Sequence, residues 1–188
     1  MGLNDTPSGN RYTIGLFGPR NVGKSSLVNK LLGQDLVLTS EVAGTTTDPV
    51  SKSMELLPIG PVLFVDTAGL DDEGELGLKR VDKSYEALRK CDLVLFVLDA
   101  SRQGGKFSAM AEQFLRESRK RNMPTIVVVN KCESAEGPIS YRECFDIPTD
   151  IPIVCTDALS GLGVEDLKKA IIRCAKQDDA PIGLTDGI

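Results

Sequence analysis

The chain has 188 residues, 41% of them hydrophobic and 26% charged, the balance of one ordinary globular domain. Its net charge of −5 disfavours a protein that grips nucleic acid through a broad basic face. No apolar run exceeds the six residues Leu93 to Leu98, well short of the roughly 18 that a membrane helix needs.

The first segment, residues 1–10, is polar, lacks a charged-then-apolar leader and reads as disordered. Met1-Gly2 with Thr6 fits a loose acylation pattern, but Asp5 and Pro7 beside it make that a chance match. Tyr12 to Phe17 predicts a short strand, and Asn21 to Leu32 a helix with Leu27, Leu31 and Leu32 at helical spacing. Val50 to Leu57 alternates enough for an edge strand. Pro58-Ile59-Gly60-Pro61 reads as a turn, and Val62 to Val65 as the returning strand of that hairpin. Lys79 to Lys90 looks helical. Leu93 to Leu98 and Ile126 to Val129 are continuous apolar runs, the pattern of parallel strands covered on both faces. Phe107 to Asn122 predicts the helix between them. On it Arg116, Arg119, Lys120 and Arg121 mix with Glu112 and Glu117, which reads as a solvated face. Ile153 to Cys155 is a last short strand and Val164 to Lys176 a last helix. Residues 177–188 read as a linker or tail, leaving 11–176 as one domain.

Strands alternating with helices imply right-handed βαβ units. The expected fold is α/β: a mostly parallel six-stranded sheet with helices on both faces and one antiparallel edge strand. Ligands on such sheets bind at the carboxyl ends of the strands.

Five cysteines are present, with no CxxC pair and no histidine. Neither a zinc site nor an iron–sulfur cluster is expected in this chain, and the thiols read as free in a reducing, cytoplasmic setting. The missing histidine also removes the commonest general base. Any catalysis must then rest on positioning, charge and metal.

Gly18-Pro19-Arg20-Asn21-Val22-Gly23-Lys24-Ser25 matches GxxxxGK(S/T) between a predicted strand and a predicted helix, the P-loop context. Backbone N–H groups from Asn21 to Ser26 can wrap phosphates, and the helix N-terminus adds a field that favours anions. Lys24 can reach the terminal phosphates, and the Ser25 hydroxyl can ligate magnesium. Asp66-Thr67-Ala68-Gly69 follows the strand Val62 to Val65. Asp66 there can hold magnesium, and the Gly69 N–H can bond a γ-phosphate. In Thr45-Thr46-Thr47 one threonine, taken as Thr46, can close over that phosphate and complete the magnesium shell.

Asn130-Lys131-Cys132-Glu133 follows the strand Ile126 to Val129 and is close to NKxD, a guanine-reading motif. A carboxylate there accepts from guanine N1–H and the exocyclic amine, whereas adenine would leave it unpaired. Lys131 can lay its stem over the base. Glu133 stands where aspartate is usual, one methylene longer. Thr156-Asp157-Ala158-Leu159 resembles the last guanine loop, with the Ala158 N–H as a donor to the base and Asp157 in place of serine.

These motifs, in this order, resemble the Era/TrmE/Septin-like branch of P-loop GTPases, the small G-domain class. Gly44-Thr45-Thr46-Thr47-Asp48-Pro49-Val50, Ser53-Met54-Glu55-Leu56, Gly60-Pro61-Val62, and Asp66-Thr67-Ala68-Gly69-Leu70-Asp71-Asp72 with Gly74-Glu75-Leu76-Gly77 are similar, more narrowly, to the HydF family of FeFe-hydrogenase maturation factors. That resemblance implies a GTP/GDP-binding switch domain cut from a longer scaffold. Its implied partners are a second copy and hydrogenase or its other maturases, with no membrane and no nucleic acid. It also implies slow hydrolysis. Leu70 stands where many small GTPases carry a water-orienting glutamine, and similar relatives use a potassium ion instead. Asn21, Ser40, Val42 and Thr45 would hold that ion, and Glu75 is the candidate to position water, with Asp71 and Asp72 beside it. Lys24, Thr46 and Gly69 would complete the catalytic set. A ribosome- or tRNA-associated assembly GTPase, and a switch that binds without hydrolysing, are the competing readings. Asn130 and Glu133 argue against an ATPase.

Overall fold

The computed structural model describes residues 11–34, 51–66, 89–102, 106–132 and 138–178. In chain order these form β1 (Tyr12–Phe17), α1 (Lys24–Gln34), β2 (Ser51–Leu56), β3 (Gly60–Asp66), β4 (Leu93–Asp99), α2 (Lys106–Lys120), β5 (Thr125–Asn130), α3 (Pro138–Cys144), β6 (Ile153–Cys155) and α4 (Val164–Asp178). The strand order is β2-β3-β1-β4-β5-β6. β2 and β3 pair antiparallel, and every other pairing is parallel. This is the mostly parallel six-stranded sheet, with its antiparallel edge hairpin, that the sequence predicts.

β4 lies at the centre and is buried at all seven positions. Successive side chains of a strand point to opposite faces, so this strand feeds two cores. Leu93, Leu95 and Val97 join Ile14, Leu16 and Phe64 under α1 and α4, where Leu27, Leu31, Leu167 and Ile171 close the cluster. Val94, Phe96 and Leu98 face the other way, with Val127 and Val129, under α2 and α3. On that side Phe114 stacks on Phe96 at 4.5 Å between ring centroids and meets Phe17 at 5.3 Å.

The differences from expectation have local causes. α1 starts at Lys24 rather than Asn21, because Asn21 (φ 63) and Gly23 (φ 93) take left-handed backbone that an α-helix cannot contain. The hairpin turns over residues 57–59, and Gly60 (φ 95) already belongs to β3. α2 stops at Lys120, and Asn122 (φ 52) makes the left-handed exit common at helix ends. α4 runs to Asp178, two residues past the expected boundary at 176. α3 has no counterpart in the sequence reading. Its seven residues are too few to show periodicity, and Tyr141 and Phe145 dock it on the second core. The predicted lead-in 1–10, most of the predicted helix Lys79 to Lys90, and the tail from 179 onward lie outside the described residues. No helix among the described residues is long and apolar enough to cross a membrane.

Phe114 is only 3% exposed and is the chief anchor of α2 on the sheet. Phe114→Ala is expected to cost about 3–5 kcal/mol through lost transfer energy and the cavity left behind. Urea denaturation measures it, with the midpoint falling and the slope unchanged.

Candidate functional site

The carboxyl ends of β1, β3, β4, β5 and β6 lie along one edge of the sheet, where β1 leads into Gly18 of the loop, β3, β4 and β5 end on Asp66, Asp99 and Asn130, and β6 leads into Thr156. The loop from Gly18 to Gly23 wraps the start of α1. Gly18 has φ 135, and a β-carbon there would lie 2.1 Å from Val97 O, so only glycine lets the loop cross the end of β4. Lys24 is 8% exposed, and its Nζ donates to Gly18 O (3.0 Å) and Pro19 O (2.8 Å). The ammonium is thereby held across the loop it serves. The first amides of a helix have no intrahelical acceptor. α1 carries no acidic residue in its first turn, so no carboxylate of the helix competes there with an incoming anion. Ser26 is exposed on that turn, whereas the Val22 side chain is buried in the first core and anchors the loop.

Ser25 and Asp66 come together across 41 residues of sequence: Ser25 Oγ donates to Asp66 Oδ2 at 2.5 Å. Asp66 Oδ1 is buried and lacks a hydrogen-bond partner. A hydroxyl and an orphaned carboxylate oxygen, both hard donors, fit magnesium, which takes few protein oxygens and completes its shell with water and phosphate.

Asn130 links the rest. It is 1% exposed. Its Nδ2 donates to Val22 O (2.8 Å), while its Oδ1 accepts from Thr156 Oγ1 (3.1 Å) and from Ala158 N (3.1 Å). The carboxamide therefore joins the phosphate loop to the loop after β6. Gly23 is part of this fit: at φ 93, a β-carbon would lie 2.4 Å from Asn130 Nδ2. The Ala158 N–H, expected at the base, is directed here to Asn130. Asp157, which replaces the usual serine, organises the same loop. Its carboxylate accepts from Leu159 N (3.2 Å) and Ser160 N (3.0 Å), and the bonds from Ser160 hold its carboxyl below the ordinary range. A serine makes the same kind of turn, so the substitution leaves the loop intact.

Lys131, at φ 64, points back over the site. Its Nζ donates to Asn21 O (2.7 Å) and to Asp99 Oδ2 (2.7 Å). Asp99 is a candidate site residue that no motif in the sequence marks. It is 3% exposed and also accepts from Ser101 N (3.0 Å) and Ser101 Oγ (2.6 Å). Burial pushes its carboxyl up, but the hydrogen bonds from Lys131 and Ser101 prevail and hold it below the ordinary carboxylate range. Arg102 stands 3.7 Å from the same oxygen and reaches Arg20 O at 3.4 Å. A signal was present: Asp99 directly follows the apolar run Leu93 to Leu98, as Asp66 follows Val62 to Val65 and Asn130 follows Ile126 to Val129.

The structure thus gathers Asn21, Val22, Gly23, Lys24, Ser25, Ser26, Asp66, Asn130, Lys131, Thr156 and Ala158 at one sheet edge. Ser40, Val42, Thr45, Thr46, Gly69, Glu75 and Glu133 lie outside the described residues.

The model of the family described as "50S ribosome-binding GTPase" matches residues 13–131, from β1 through Lys131. The chain is similar to GTPase Der of Wolinella succinogenes, 37% identical over 179 residues that cover 91% of this chain and 37% of Der. It is also similar to the tRNA modification GTPase MnmE of Syntrophotalea carbinolica, 38% identical over 160 residues that cover 83% of this chain and 32% of MnmE. A solved structure of Era in complex with MgGDPNP and nucleotides 1506–1542 of 16S ribosomal RNA superposes with a TM-score of 0.66 at 28% identity, over 86% of this chain and 56% of that one. The chain spans about a third of the length of the curated relatives named. Guanine nucleotide with magnesium is typical of these GTPases, and Era was solved with both. The chain belongs to the 50S ribosome-binding GTPase family, as a P-loop GTPase domain of the Der, MnmE and Era type.

Proposed function

We propose that this domain binds GTP with magnesium, hydrolyses it slowly, and serves as the switch of a ribosome- or tRNA-associated GTPase. The observation that carries the reading is the joining of phosphate and base loops through buried Asn130. Ser25 and Asp66 would hold magnesium, which shields phosphate charge when bound. Lys24 adds a fixed positive charge across the loop, so developing negative charge meets a group already in place. With no histidine in the chain, this positioning stands in for acid–base chemistry.

The named relatives support the RNA-associated reading. Era is solved with 16S ribosomal RNA, and MnmE is a tRNA modification GTPase. This chain's net charge of −5 therefore does not count against an RNA partner. The narrower HydF reading rests on the segments Gly44 to Val50, Ser53 to Leu56, Gly60 to Val62, Asp66 to Asp72 and Gly74 to Gly77, and it remains the second proposal. Potassium activation is proposed on Leu70 and Asn21, with Glu75 as the candidate water-positioning group.

Phosphate release from GTP tests these readings together. We expect slow turnover, faster in potassium than in sodium chloride, slowed in Asn21→Ala and stimulated by ribosomal RNA or tRNA. Equal rates in both salts and in Asn21→Ala would discard the potassium role. Stimulation by a hydrogenase precursor and not by RNA would favour the HydF reading, and no phosphate release over hours would reduce the domain to a binding switch.

Asp99→Asn keeps the shape but removes the anion facing Lys131. Guanine nucleotide affinity is expected to fall on the order of tenfold, read by displacement of a fluorescent GDP. A carboxyl lowered in the folded state stabilises above its unfolded value, 3.8, and ceases to as pH falls through the folded value. The stability difference between wild type and Asp99→Asn should therefore be flat from neutral pH to about 5 and close only below the ordinary carboxylate range.

A further inference from the structure

Neither the phosphate site nor the base site uses the sulfur atoms of this chain, yet two of them lie beneath the base-side loops. The β5–β6 register sets Val129 beside Cys155. The left-handed turn at Lys131 then brings the chain back, so that Cys132 N donates to Thr156 O (3.0 Å) while Thr156 N donates to Val129 O (2.8 Å). Cys132 Sγ reaches the same Val129 O at 3.2 Å. Cys132 lies in the second core with Tyr141, and Cys155 packs against the same core with Ile153. Cys132 is 1% exposed, whereas Cys155 is partly open to solvent. The bond from Cys155 holds Cys132 below the ordinary thiol range, and Cys155 is pushed up in turn. Cys91 differs: it stands at the far end of the sheet, next to the start of β4, and burial pushes it up to about 11, the condition of an inert structural thiol.

We propose that Cys132 and Cys155 form a modification site that exchanges with a low-molecular-weight disulfide and closes into an intramolecular bond, stapling the two base-side segments together. Cys155, the thiol that solvent reaches, passes its proton to the neighbouring Cys132 sulfur, the more acidic of the two, and attacks the small disulfide, forming a mixed disulfide while one small thiol leaves. Cys132 then attacks Cys155 Sγ, loses its proton, and releases the second small thiol. Two protein thiols are oxidised by two electrons while one disulfide is reduced to two thiols. The two backbone bonds between the segments can persist through closure, so the new link adds restraint beside the Asn130 contacts rather than replacing them. Resting on the guanine-nucleotide reading, the consequence is slower nucleotide release, because the segments that part to free the base are tied.

The test treats the full chain with oxidised glutathione, maps linked peptides by mass spectrometry after alkylation, and follows release of a fluorescent GDP. A peptide containing Cys132 joined to one containing Cys155 is expected, with release slowed on the order of tenfold and restored by reductant. Cys132→Ser should stop at glutathione on Cys155, and Cys155→Ser should form no link while keeping the unoxidised release rate. No Cys132–Cys155 link, persistent glutathione on Cys155 in the wild type, or a link that leaves release unchanged would each overturn the proposal. The link is read by mass alone, so a protein that holds no guanine nucleotide would refute the functional reading without deciding this one.

Discussion

A buried carboxamide has one acceptor and one donor group to satisfy, and Asn130 spends both on the site. Its amine takes a carbonyl of the phosphate loop, and its oxygen takes a hydroxyl and an amide from the loop after β6. A polar group buried in this way is stable only when its partners are in place. The three segments are therefore set relative to one another by a single side chain at the end of β5. Gly23 shows how close the fit is, since even a methyl group there would meet Asn130. The phosphate loop and the loop after β6 are consequently coupled through one side chain.

Around that unit the sheet supplies direction. Parallel pairing aligns the carboxyl ends of five strands, so residues distant in sequence arrive at one edge. The two cores clamp the sheet from both faces, and the fully buried β4 belongs to both. Asp99 emerges from that most rigid strand and holds the ammonium of Lys131, an exposed side chain that would otherwise sample many rotamers. Charge is thus fixed in place by packing, the requirement of a site that works by positioning.

Much of this was legible in the chain. Continuous apolar runs indicate the central strands, and the motifs that follow them point to the P-loop, Asp66 and Asn130, which the structure brings to one sheet edge. The direction of side chains was not legible. Asn130 read as a base-binding residue, yet its visible partners are Val22, Thr156 and Ala158, which lie 108, 26 and 28 residues away. Asp99 was missed because a lone aspartate after a strand carries no motif, and its meaning depends on Lys131, 32 residues on. α3 was missed because seven residues of helix leave too little pattern. The HydF resemblance stands on switch segments, whereas the relatives identified through the whole domain are Der, MnmE and Era.

The central claim is that Asn130 couples the two halves of the pocket, and Asn130→Ala examines it most directly. The substitution leaves Val22 O, Thr156 Oγ1 and Ala158 N without this partner. Each such loss is worth about 1–3 kcal/mol where the group stays buried. Binding of inorganic triphosphate and of GDP should be measured on the same variant, at a temperature where it is folded. Both should weaken together, since the phosphate loop loses its tether along with the base loop. Full retention of triphosphate binding with loss confined to GDP would contradict the claim.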